Sequence, residues 1–130
     1  MIEVGGVLSL TADTNTERLK SIRDQVVRAA TECGADDETV ADFELVASEL
    51  TTNVIEHTTA TSVMVIFRHE RNQWILEVSE AHGLGGHGLS SEPVETPDGR
   101  GLNITRAVMD SVYLVDIDDQ RFVRCIKSAA

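Results

Sequence analysis

The hydrophobic period of this chain changes from helical to alternating near residue 60, and that change confines what it can fold into. Leu19, Ile22, Val26, Ala29, Ala30 and Cys33 recur at helical spacing. Thr14-Asn15-Thr16-Glu17 opens the segment with capping-box spacing, and Gly34 stops it. Asp36-Asp37-Glu38 then places carboxylates where a helix dipole favours them. A second helix runs to about His57, with Val40, Phe43, Ala47, Leu50 and Val54 as its buried stripe. Beyond it the period drops to two. Residues 61–69 and 73–79 are alternating or β-branched apolar runs, joined by a hairpin turn at Glu70-Arg71-Asn72. Residues 112–117 and 121–127 form a closing hairpin about Asp118-Asp119-Gln120, preceded by a short helix over 102–110. A short strand over 7–10 leads into the first helix through a turn at Asp13. The order β-α-α-β-β-loop-α-β-β predicts an α+β two-layer sandwich: a mixed, mostly antiparallel sheet with helices on one face.

A chain of 130 residues is about one domain, expected over 1–130, and buries enough surface for a core without disulfides. Hydrophobic residues at 42% exclude a disordered chain. Twenty-two acidic residues against 11 basic ones leave a net charge of −11, which argues against direct contact with nucleic acid or an anionic membrane. It suits a partner with basic patches. The apolar run over 63–67 is far too short to span a bilayer, and the first residues lack the plan of a signal peptide. Cys33 and Cys125 form no framework and read as reduced thiols, so a cytoplasmic location is expected.

Two constellations carry chemistry. Glu49, Asn53 and His57 stand four apart on the second helix and share a face outside its apolar stripe. A carboxylate beside an amide oxygen can position water and Mg²⁺, which prefers oxygen ligands; taken alone, such a row is an ordinary solvated helix face. The second lies in residues 80–100, which show no periodic pattern. Six of the nine glycines fall between Gly83 and Gly101, together with Pro93 and Pro97. A structureless segment of that length is normally functional or mobile. Glycines let backbone N–H groups approach phosphates, and Gly99-Arg100-Gly101 stands directly before a helix. Gly83 to Gly88 matches GxGxxG, but no helix follows it, so a dinucleotide fold is excluded. His82 and His87 lack the further ligands a metal site needs. Trp74 reads as core.

In this order the motifs resemble those of GHKL-type (Bergerat-fold) ATPase domains, specifically the small anti-sigma-factor serine/threonine protein kinases that work by partner switching. Glu49-xxx-Asn53, flanked by Val46-Ala47-Ser48 and Ile55-Glu56-His57, is similar to the family's N box. Gly99-Arg100-Gly101-Leu102 with Thr105 resembles its second glycine box, followed by Asp110-Ser111-Val112. Gly83-Leu84-Gly85 aligns with the first glycine box, but where the family has an Asp that recognises the adenine amino group this chain has Ala81. Glu80, one residue earlier, is the nearest carboxylate. Either Glu80 substitutes through a one-residue shift, or nucleotide binding is weakened or lost.

The resemblance implies ATP and Mg²⁺ as cofactors, Glu49 as general base and Asn53 as the Mg²⁺ ligand. His57, Glu80, Gly83, Gly85, Gly99, Arg100, Gly101 and Leu102 would complete the nucleotide site, with Arg100 able to reach a γ-phosphate. It implies as partners a sigma factor and a STAS-domain anti-anti-sigma protein carrying the acceptor serine, and a homodimer as a common assembly. The alternative is a catalytically degenerate module that sequesters its partner without ATP: Ala81 favours it, and the intact Glu49 and Asn53 favour the kinase. A sensor-kinase ATP domain fits less well, because the chain holds no preceding helical segment with a phosphoacceptor histidine.

Overall fold

A computed structural model describes residues 7–13, 16–57, 62–80, 92–93, 102–117 and 120–128. Six strands and three helices follow in the order β1 (Val7–Asp13), α1 (Thr16–Glu32), α2 (Asp37–His57), β2 (Ser62–Glu70), β3 (Gln73–Glu80), β4 (Glu92–Pro93), α3 (Leu102–Val108), β5 (Ser111–Ile117) and β6 (Gln120–Ser128). The strands form one sheet in the order β1-β2-β3-β6-β5-β4. Every pairing among the described residues is antiparallel, so the mixed character expected of the sheet is absent there.

Local chemistry accounts for the joints. Gly34 adopts φ 93°, donates to Thr31 O, and is followed by Ala35, which donates to Ala30 O. This pair of bonds closes α1 as a Schellman motif, which wants glycine at the left-handed position. Asp36 Oδ1 accepts from Thr39 N at 2.8 Å and caps α2. That bond to the backbone holds the Asp36 carboxyl below its ordinary range. The β2–β3 turn is tighter than the three residues expected. Glu70 pairs with Gln73, and Arg71 and Asn72 alone turn the chain with φ of 52° and 62°. Two positive φ values in a two-residue loop match the twist of the flanking strands. The capping box at Thr14 and Asn15 and the turn at Asp118-Asp119 lie outside the described residues.

Two expectations are corrected. β1 continues past Leu10 to Asp13, because β2 offers partners as far as Ser62. Within the stretch that shows no pattern, Glu92 and Pro93 pair with Leu114 and Tyr113 as β4. Two residues cannot display a period, and proline tolerates a sheet edge where no N–H is needed.

Alternation assigns the sheet's two faces. Val63, Val65 and Phe67 of β2, Trp74, Leu76 and Val78 of β3, Cys125 of β6 and Val112 of β5 point to one side. They form one core with Ile22, Val26 and Ala30 of α1 and with Phe43, Val46, Ala47, Leu50 and Val54 of α2. Phe43 meets Phe67 edge-on at 5.3 Å, and Phe67 stacks on Trp74. Trp74 is core, as expected. Burial pushes the Cys125 thiol up to about 12, with Glu77 adding to the effect. Lys127 braces the base of this layer: its Nζ lies 3.1 Å from Asp42 Oδ2 on α2 and donates to Val108 O, the end of α3, at 3.2 Å.

Candidate functional site

The direction of α2 positions the site. Its first turns are tied to the lower edge of the sheet by Lys127 and by Phe43 against Phe67. From Phe43 to Asn53 the helix climbs about 15 Å. From Phe67 to Val63 the strand climbs about 13 Å in the same direction. Asn53, in the later turns of α2, and Val63 with its sheet partner Glu80, the last residue of β3, therefore lie toward the upper ends of their elements. In sequence, Glu80 is followed by the segment that holds Gly83–Gly88. Because α3 ends at the lower brace, its first residue, Leu102, lies toward the same upper rim.

Glu49 and Asn53 are both half-buried on α2, one turn apart. The residues between them hold the helix in place: Leu50 and Thr51 are buried, and the Thr51 hydroxyl donates to Ala47 O at 2.7 Å. His57 is the last residue of α2 and continues the row by position. Thr105 is fully buried in α3. Gly83, Gly85, Gly99, Arg100 and Gly101, with Ala81, lie outside the described residues, as do the side chains of His57, Glu80 and Leu102. Among the described residues no group of three or more His, Cys, Asp or Glu could hold a metal. A nucleotide-borne Mg²⁺, which keeps its waters and takes one or two protein oxygens, is compatible with Asn53 as its single ligand.

At the same rim, on the helix-facing side, Asp116 of β5 stands directly opposite Arg121 of β6. Arg121 Nε donates to Asp116 Oδ1 at 3.2 Å. Arg121 lies one step past the Ser79–Phe122 pair, next to the end of β3, where Ser79 Oγ donates to Arg121 O at 2.7 Å. Sequence reasoning missed this pair. Its signal was opposite charges two residues before and two after the Asp118-Asp119 turn, directly paired across a hairpin.

The geometry sets a half-buried helix-borne carboxylate and amide one turn apart, over a sheet whose other side carries no helix among the described residues. A model of the histidine kinase-like ATPase domain matches residues 12–127. The chain belongs to that family. In fold it is similar to the crystal structure of the RsbU and RsbW domains of Rv1364c from Mycobacterium tuberculosis, with a TM-score of 0.71 and 19% identity. That likeness covers 94% of this chain and 32% of the other, so the chain spans about a third of the protein it matches. No curated protein matches the sequence. The family is one of ATPase domains, and ATP binding follows from membership. No helix among the described residues is long and apolar enough to cross a membrane.

Proposed function

We propose that the chain is a partner-switching regulator: an anti-sigma factor with ATP-dependent serine/threonine kinase activity toward a STAS-domain anti-anti-sigma protein. The observation that carries this reading is Glu49 and Asn53, half-buried one turn apart on a helix whose height over the sheet is fixed, in a histidine kinase-like ATPase domain. The similarity in fold to a structure containing an RsbW domain supports it.

In this reading Asn53 Oδ1 would hold the Mg²⁺, and backbone N–H groups of Gly83, Gly85, Gly99 and Gly101 would cradle the phosphates, with Arg100 beside them. ATP with Mg²⁺ supplies the phosphoryl group and neutralises its charge. Glu49 accepts the proton of the incoming serine hydroxyl, so that its oxygen attacks as a nucleophile. Half-burial suits Glu49 to this work, because the carboxylate remains reachable while the wall behind it, Leu50 and Val54, is dry. Binding of a sigma factor by an acidic protein is electrostatically complementary to a DNA-binding surface.

Titration of the full chain with ATP and Mg²⁺, alongside Asn53→Ala, tests the site. Micromolar binding that weakens in the variant supports the pocket; no binding at millimolar ATP retires the kinase. With a STAS-domain acceptor, Glu49→Gln abolishes phosphorylation while leaving nucleotide affinity nearly intact, and unchanged phosphorylation removes Glu49 from the mechanism. A second reading, a module that binds partners without ATP, is favoured by Ala81 at the adenine-contacting position.

A further inference from the structure

Resting on the nucleotide-binding reading, we propose that Asp116 and Arg121 form the base-reading end of the site: Asp116 Oδ2 accepts from the adenine amino group and Arg121 Nη2 donates to the ring nitrogen beside it. The pair would then supply the contact that Ala81 cannot make.

The argument begins with an unfinished fork. An arginine facing a carboxylate ordinarily closes two parallel bonds, and a pair with a purely structural role gains by doing so. Here Nε donates to Oδ1, while Oδ2 and Nη2 are buried and without a hydrogen-bond partner among the described residues. They are the two buried side-chain polar atoms so left. Other atoms of the two side chains keep 14% and 23% exposure, while Oδ2 and Nη2 themselves are buried, so the pair lies just beneath the surface. An acceptor and a donor side by side are complementary to a group offering a donor next to an acceptor. The amino group and adjacent ring nitrogen of adenine present that edge, and the chain belongs to an ATPase family.

Placement supports the same assignment. Asp116 and Arg121 lie on the helix-facing side, and Arg121 adjoins the end of β3, just before the position where a carboxylate of the first glycine box would stand. In this assignment, with Asn53 at the metal, the base lies farther along the sheet rim, beyond β3. β6 and β5 are the next strands in that direction.

The test compares Mg²⁺-ATP, the triphosphate of purine riboside (which lacks the amino group), GTP and inorganic tripolyphosphate by calorimetry on the full chain. The wild type prefers ATP to the purine riboside nucleotide by roughly tenfold to a hundredfold, the worth of one bond to a charged acceptor. Asp116→Asn, with its folding verified by thermal denaturation, erases that preference by weakening ATP alone, and tripolyphosphate binds both proteins equally. A merely structural pair would change all ligands together. Equal wild-type affinity for ATP and the purine riboside nucleotide overturns the proposal without any variant, and so does a preference for GTP. If neither ATP nor tripolyphosphate binds, the nucleotide reading itself has failed and this assignment falls with it. If ATP binds and its affinity is indifferent to Asp116, only the assignment falls.

Discussion

Two carboxylates on the strands either side of β6 meet arginines in opposite ways. Glu77, on the outer face of β3, is 2% exposed and receives both Arg68 Nη2, at 3.0 Å, and Arg124 Nε. Arg68 turns its Nη1 to Glu70 at 2.9 Å, and no buried side-chain polar atom of this network is left unmatched among the described residues. Asp116, on the inner face of β5, receives one bond and leaves an oxygen and a guanidinium nitrogen unmatched among the described residues. The first arrangement holds a sheet together on the face that no helix covers among the described residues. The second sits at the rim next to the end of β3, and two of its buried atoms are left unmatched among the described residues. Buried charge is costly unless paired, so a closed network reads as structure and an open one as a place for a ligand.

The sharpest way to break this comparison is Glu77→Ala. Removing the shared carboxylate leaves two half-buried arginines facing each other, and unfolding in urea should show a loss of about 3 kcal/mol. A loss under about 1 kcal/mol would mean that solvent already screens the cluster. Arg124→Ala should cost less, because Arg68 still serves Glu77, and the same urea series gives the ratio. Asp116→Asn should change stability by under about 1 kcal/mol, since the amide oxygen can still accept from Arg121 Nε and the change removes a charge but not the bond. A fall as large as that of Glu77→Ala would make the two pairs equivalent and remove the contrast.

Smaller still is the cap of α2. The folded-state Asp36 carboxyl is lowered by its bond to Thr39 N, so its contribution is present above its unfolded value and is lost as the pH falls through the folded one. Asp36→Ala should therefore lower Tm by a few degrees near neutrality and converge with wild type in acid, as calorimetry at both pH values would reveal. The thiols set a last contrast: Cys125, pushed up to about 12 by burial, should react with a disulfide reagent only on unfolding. Cys33, half-buried, should react in the native protein, though slowly because burial and Glu32 raise it. Labelling of both at equal rates would place Cys125 outside the core.

Much of the fold was legible because its signals are local. The stripe from Ile22 to Val54, the stop at Gly34 and the hairpin at Arg71-Asn72 each rest on residues close in sequence. What escaped depends on neighbours far along the chain. β1 gains its last three residues only because β2 lies beside it, and the two residues of β4 exist only as partners of β5. Of the candidate site, Glu49 and Asn53 were legible from helical spacing, and their half-burial distinguishes them from a fully solvated face. Asp116 and Arg121 were passed over because charges near a turn are usually solvent-facing. Only the alternation of β5 and β6, fixed by Val112 and Cys125 in the core, turns them inward.

Lys127 has a consequence for the order in which the molecule opens. Seven residues make too short a helix to persist in water, so α3 owes its existence to Thr105 and Met109 in the interior and to the ammonium on its final carbonyl. Its backbone amides should exchange with deuterium on the schedule of α2 and β6, which share that ammonium, and not on a schedule of their own. Lys127→Met keeps the apolar stem and deletes the charge. It should uncouple the clocks, letting α3 exchange early while the sheet beneath it stays protected.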